Sequence, residues 1–521
     1  MRAGFRQSMT RLHTWAGVVI GALLFLIFWM GSLSVFDREV DRWMMPMTRL
    51  APASASGLAS LDTTVRPVAE QLAGGASPWT ILLPTARVPT LELRYPDGAG
   101  EIVRRHVDPA SGRLLAAAGS AGGNGFFFPF HYKLHLKAFD LGYWLVGLAG
   151  MTMLVLLVSG VIIHRRIFSD FFTFRPARAM PRATLDLHNL SGVLALPFHF
   201  VITLSGLIIL FAIYFPVAWQ TAYAPAGPDA RQAFNREAFG TWRRPPAGVP
   251  GPLASLDAML AAAQAQWQGG RPYMVRVWHP GDAASWVEVR RSFADDITMN
   301  LDTVYFDGVT GAVLHRHQAR PVMRVQRFIA GLHFVQFEHW TLRWLYFLAG
   351  LAGCLMIGTG LLFWLEARRA RHLRQGVAGV RLVEGLTVGG TAGLIVATLA
   401  FLVANRLLPL DLAARPAIEM NVFFAAWGVT FVHAGWRAAH AWREQAWAMA
   451  VLATAAVALN GLTTGDHLLR TLAAGNWAVA GVDGVLLLGA LVAGGVARHL
   501  RRRGAEAPAV GGARAAAGGR G

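Results

Sequence analysis

Two stretches of the chain repeat one arrangement of a potential ligand. Leu12-His13-x-x-x-Gly17-Val18 is followed by twelve mostly apolar residues and then Gly31; Leu187-His188-x-x-x-Gly192-Val193 is followed by the same gap and then Gly206. Arg11 and Arg182 stand on the N-terminal side. Each stretch puts an imidazole at the mouth of an apolar run of membrane length. A polar ring there costs free energy unless something uses it. The repetition points to a pair of metal ligands, with haem iron the metal that suits facing imidazoles in an apolar bundle.

The other histidines are sorted by depth. His164 closes the second apolar run and lies with His13 and His188 at one edge; His131, His135 and His333 lie at the other; His199 falls inside the third run. His188 and His199 are eleven residues apart. On a helix that spacing returns to nearly the same face about 16 Å along the axis, so one helix could serve two stacked centres. Taken singly, an interfacial His is equally well a wet helix end, and His199 a buried ring bonded to a carbonyl. What favours ligation is the combination: His at both edges, in both copies of a repeat, with no thiolate competitor. The one cysteine, Cys354, allows neither a disulfide nor a C-x-x-C-H attachment. Gly17, Gly31, Gly147, Gly150, Gly192 and Gly206 would let helices or a flat ring approach closely, and Arg11, Arg165 and Arg166 could pair with propionates.

The elements that must position these residues are membrane helices. The 521 residues are 54% hydrophobic and 15% charged, which is membrane composition. Runs long enough for a hydrocarbon core of about 30 Å fall at 14–36, 142–163, 189–213, 341–365, 383–408, 419–437, 446–465 and 477–497. Every second connection is short and arginine-rich, including Arg165, Arg166, Arg175 and Arg178 after the second run, so these face the cytoplasm and both termini lie inside. The net charge of +18 is largely this orientation signal, which argues against a nucleic-acid partner.

Two long connections, 37–130 and 214–335, carry the same order of signals. Residues 61–72 and 255–267 read as amphipathic helices. Short alternating strands follow at Trp79–Leu83, Leu91–Tyr95 and Ile102–Val107, and again at Tyr273–Trp278, Trp286–Arg290 and Thr303–Phe306. The turn Asp108 to Gly112 matches Asp307 to Gly311, and Trp144, Gly150 and Ser159-Gly160 match Trp344, Gly350 and Thr359-Gly360. The expected fold is therefore an all-α polytopic membrane protein of eight spans. Its first part is a duplicated helix–domain–helix core bearing two small α+β periplasmic domains. The expected divisions are 1–36, 37–130, 131–213, 214–335, 336–370, an appended four-span bundle at 371–503, and a disordered tail at 504–521.

The stretches Phe130 to His135, Ser159 to Pro176, Leu185 to Asn189, Leu196 to His199, Gly331 to His333 and Arg343 to Tyr346 resemble the PepSY-associated transmembrane proteins of Gram-negative bacteria, over about residues 5–370. The extracytoplasmic units look like PepSY domains. The resemblance implies an inner-membrane protein of the iron-regulated, ferric-siderophore reductase type, with two b-type haems of bis-His ligation. It makes His13, His164 and His188 candidates for the inner haem, and His131, His135, His199 and His333 for the outer one. Among these, His13, His188, His131 and His333 are the expected iron ligands. The implied acceptor is a ferric siderophore. Reduction releases iron because hard oxygen ligands hold Fe²⁺ far more weakly than Fe³⁺. The connections contain no dinucleotide, flavin or P-loop motif, so a cytosolic reductase or a membrane quinol is the expected donor. Tyr273, Trp278 and Trp286 are candidate docking contacts, although core aromatics are the commoner role. The competing readings are a non-enzymatic PepSY binding or sensing protein, and a siderophore or metal transporter.

Overall fold

The structure, a computed structural model, describes residues 3–51, 60–164, 180–375, 379–438 and 440–506. Arg165, Arg166, Arg175 and Arg178, the end of the 159–176 stretch and most of the 504–521 tail lie outside them. The chain divides into two units, Met1–Gly360 and Leu361–Gly521.

In the first unit, Ala3–Ser34 forms one unbroken helix, α1, with Trp15 and Val19 exposed on a face that only lipid would solvate. A short helix α2 (Asp37–Met44) leads to α3 (Arg66–Ala73) and three strands, β1 (Trp79–Leu82), β2 (Leu91–Pro96) and β3 (Ile102–Val107). Helix α4 (Gly122–Lys133) then precedes the second span, α5 (Leu141–Ile163). The third run is not the straight span expected over 189–213. It is two helices, α6 (Met180–Leu194) and α7 (Leu196–Ile209), bent by 66°. Pro197, in the first turn of α7, has no N–H to continue the ladder, and its ring excludes the carbonyl four residues back. The second copy continues with α8 (Leu256–Gln266), strands β4 (Pro272–Trp278), β5 (Trp286–Arg291), β6 (Thr303–Asp307) and β7 (Val313–His317), helix α9 (Pro321–Phe334), and the long helix α10 (Trp340–Arg374), which runs past the unit boundary.

The two α+β units share one antiparallel sheet of order β3-β2-β1-β4-β5-β6-β7. The join is β1 against β4, with Thr80 opposite Arg276. Strand alternation sends Ile81, Leu93, Val275, Val277, Val287, Val289 and Phe306 to one face, where α3 and α8 cover a single core. The repeated tripeptides Ser60-Leu61-Asp62 and Ser255-Leu256-Asp257 clasp each other. The carboxylate of Asp62 accepts from the backbone N–H of Leu256 at 2.9 Å and the hydroxyl of Ser255 at 2.5 Å. That of Asp257 accepts from Leu61 N–H at 2.9 Å and Ser60 at 2.5 Å. Each copy thus caps the helix start of the other. Burial pushes the Asp62 carboxyl up, but these hydrogen bonds hold it below the usual carboxylate range. Asp62→Ala is expected to cost roughly 1–2 kcal/mol, read as a lower thermal midpoint. A group held below its unfolded pKa contributes above that value and loses the contribution as pH falls through the folded one. The deficit of the variant should therefore be full at neutral pH and shrink in acid.

The second unit contains α11 (Gly379–Val388), a π turn at Gly389–Gly393, α12 (Leu394–Leu407), α13 (Arg415–Trp436), α14 (Ala441–Thr464) and α15 (Trp477–Glu506). The indole N–H of Trp427 donates to the Gly389 carbonyl at the π turn, at 2.8 Å. Several buried polar groups are paired: Arg415 with Glu419 at 2.9 Å, Asn405 donating to Glu419 at 2.7 Å, and Asn460 donating to Asp483 at 3.3 Å. Among the described residues, seven helices are long and apolar enough to cross a membrane, and the bent pair α6–α7 makes an eighth crossing if taken as one span.

Two candidate bis-histidine sites

Four of the seven candidate histidines meet in two pairs. His13 on α1 faces His188 on α6, with ring centroids 6.3 Å apart; His131 on α4 faces His333 on α9, with centroids 5.9 Å apart. Each pair takes one histidine from each copy of the repeat. The levels are set by α1. It carries His13 near its start and, eighteen residues on, Gly31, which lies against His131. That spacing is about 27 Å of helix, close to the thickness of a hydrocarbon core.

All four rings are held alike. Nδ1 of His13 meets the carbonyl of Leu156 at 3.1 Å, and that of His188 the carbonyl of Met356 at 2.7 Å. Nδ1 of His131 meets Ile27 O at 2.8 Å, and that of His333 Ile202 O at 2.8 Å. A carbonyl can only accept, so each Nδ1 carries the proton and each Nε2 presents a lone pair. Ser159 and Ser205, whose hydroxyls donate to the carbonyls of Leu156 and Val201, stand as further acceptors 3.0 and 3.1 Å from Nδ1 of His13 and His333. No hydrogen bond engages these Nε2 atoms among the described residues. This is the tautomer and the anchoring that metal-ligating histidines use.

Small residues make the room. A Cβ on Gly31 would lie 2.8 Å from the His131 ring, and one on Gly206 2.8 Å from His333. Gly160 and Gly360 stand in the same relation to His13 and His188, at 3.3 and 3.0 Å. At the His131–His333 level a cavity of about 450 Å³ opens, lined by Gly31, Gly206, Tyr132, Tyr143, Tyr214 and Tyr346 among others. Two imidazoles that shared one metal ion, each about 2 Å from it, would place their ring centroids about 6 Å apart. The donor set, spacing and tautomer therefore fit a haem iron at both pairs, and at His131–His333 the cavity does as well.

The other three candidates stand apart. His135, with a left-handed φ of 53°, bonds Phe126 O through Nε2 at 3.1 Å and stacks on the Phe126 ring. His199 is fully buried, edge-on to Phe28, with Nε2 3.3 Å from Ala349 O. His164 caps the end of α5, and its Nδ1 is buried without a partner among the described residues. Arg11 is exposed, and Arg165 and Arg166 lie outside the described residues. The carbonyl anchors and the tyrosine lining were not foreseen from sequence. The only signal for Gly160 and Gly360 was their place in the repeat.

Fold and site together define a polytopic helical membrane protein with a duplicated core and facing histidine pairs. A profile of the PepSY-associated TM region matches residues 10–367, and the chain belongs to that family. It is also similar to an uncharacterized protein of Pseudomonas aeruginosa, PA4219, with 33% identity over 292 residues, covering 52% of this chain and 70% of the other.

Proposed function

We propose that the protein is a di-haem b electron-transfer protein of the bacterial inner membrane that reduces a ferric siderophore in the periplasm. The observation that supports this best is the doubled pair of facing imidazoles, each with Nδ1 tied to a carbonyl and Nε2 free. His13 and His188 would hold the inner haem, and His131 and His333 the outer one. When bound, the two groups would supply one-electron carriers near opposite sides of the bilayer. The chain's own part is positional: carbonyls fix the rings, glycines admit the macrocycle, and apolar helices exclude water. The arginine-rich connections support cytoplasmic termini and a periplasmic sheet. A membrane quinol or a cytosolic reductase would supply the electrons. The test is to reduce the purified protein with limiting dithionite and mix it anaerobically with a ferric siderophore and an Fe²⁺ trap. Reoxidation matched by trapped Fe²⁺ is expected. A protein that stays reduced with every class of chelate would contradict the assignment.

A further inference from the structure

One face of the seven-stranded sheet packs on α3 and α8. The other carries more cations than carboxylates. Alternation puts Glu92, Arg94, Arg104, Arg276, Glu288 and Arg290 on it. They form cross-strand neighbours, with Arg104 opposite Arg94, Arg94 opposite Thr80, Thr80 opposite Arg276, and Arg276 opposite Glu288. Like charges directly opposite each other destabilise a sheet, so the Arg104–Arg94 pair relies on the buried Glu92 that both approach.

Two carboxylates serve four guanidiniums. Glu92 lies 2.7 Å from Arg94 and 3.9 Å from Arg104; Glu288 lies 2.5 Å from Arg290 and 3.3 Å from Arg276. Both carboxylates are buried, whereas the Arg104 side chain is 49% exposed and the other three are about a third exposed. The acids lie beneath and the cations on top. At one end Trp278 stacks on Trp286 at 4.9 Å, with the Arg276 guanidinium 5.9 Å from the Trp278 ring centre. Towards β6 and β7 the face is closed, because Tyr305 donates to Gly240 O at 2.5 Å, His317 packs on Gly240 and Trp242 packs edge-on against Trp286 at 5.0 Å. The open part is the arginine layer over β3, β2, β1, β4 and the β5 residue Arg290, with Trp278 partly exposed at its edge. Glu92 is near enough to Asp41 of α2, and Arg290 to Arg327 of α9, for their charges to interact. Helix α9 is the one that carries His333.

We propose that this open, arginine-rich half-face is the docking surface for the electron acceptor, and that it selects ferric chelates of net negative charge with catecholate rings; the proposal rests on the electron-transfer reading above. Guanidiniums match catecholate and carboxylate oxygens, and the partly exposed Trp278, backed by the buried Trp286, offers a ring edge beside them.

The test is binding, not turnover. The full-length, oxidised protein in detergent is titrated with a ferric hexadentate tricatecholate and with net-neutral ferric tris(acetohydroxamate), following quenching of tryptophan fluorescence. The tricatecholate should bind more tightly, and its affinity should fall with added salt. Arg104→Glu, on the most exposed of the four, and Arg104→Gln with Arg276→Gln should each weaken it by about tenfold or more, with the hydroxamate complex unaffected. The thermal midpoint should change little in Arg104→Glu and fall in the double variant, where the buried Glu288 loses one of its two cations. Equal affinity for both complexes, or no effect of either variant, would overturn the proposal. Tight, arginine-dependent binding without later reoxidation of the reduced protein would uphold this surface and overturn the reductase reading.

Discussion

His131→Ala is expected to halve the haem content of the purified protein and leave one low-spin centre behind. The same result is expected for His333→Ala, and the double variant should lose no more than either single, because one haem needs both rings. His13→Ala and His188→Ala should remove the other centre. The expectation follows from the pairing across the repeat: each ring is bonded through Nδ1 to Ile27 O or Ile202 O, which leaves its Nε2 for a metal, and the two rings lie 5.9 Å apart. His135→Ala is the control that separates ligation from proximity, since His135 spends its Nε2 on Phe126 O. A pyridine haemochrome count on each variant reads the outcome. Full content in His131→Ala with loss in His135→Ala would show that the wrong ring has been assigned.

The second large effect concerns stability. Arg87 binds Glu39 through two hydrogen bonds, Nε to Oε1 at 2.8 Å and Nη2 to Oε2 at 2.7 Å, and also reaches Asp37 Oδ1 and Val35 O at 3.3 Å. All three side chains are buried. Arg87 lies on the β1–β2 connection and its partners lie at the end of α1 and on α2, so the cluster fastens the sheet to the first membrane helix. Arg87→Met would leave two carboxylates buried without their main cation, a change that costs about 3–5 kcal/mol. A large fall in the thermal midpoint at neutral pH is expected, and Glu39→Gln added to it should recover part of the loss. Burial pushes the Glu39 carboxyl up, but Arg87 and then Arg343 hold it below its ordinary value. Its contribution in the native protein is therefore present above the unfolded pKa and lost as pH falls through the folded one. Without Arg87 only the upward push of burial and the weaker help of Arg343 remain. Glu39 should then take up a proton more readily, and the gap between variant and wild type should narrow in mild acid.

Much of this was legible in the sequence, because bilayer and repeat both write strong periodic signals. Membrane-length apolar runs are hard to mistake, and strand alternation placed the first six strands within a residue or so of where they lie. Two things were not legible. The sheet is continuous because β1 pairs with β4, a contact between residues about two hundred apart that no local pattern encodes. The third run is bent, although Pro197 was in plain view, because a proline near a membrane-helix terminus is compatible with a straight span, a kink or a break, and packing decides among them. For the site, the repeat picked out His13 and His188, and the edges of the spans supplied His131 and His333. Which ring faced which depended on the carbonyls of Leu156, Met356, Ile27 and Ile202, and backbone groups leave no trace in sequence. His199 looked as good a ligand as any by depth alone. It stands outside both pairs, and in the repeat its position falls on Leu24, so it has no counterpart to face.

The central claim is that facing histidines hold two haems. The most direct measurement is the visible spectrum of the detergent-purified protein, oxidised and dithionite-reduced, with a pyridine haemochrome count. The account predicts a reduced b-type α-band and about two haems per chain, both low-spin as bis-imidazole ligation requires. No Soret band, even after expression with added haem, would contradict it and leave the histidine pairs a packing feature of a membrane binding protein.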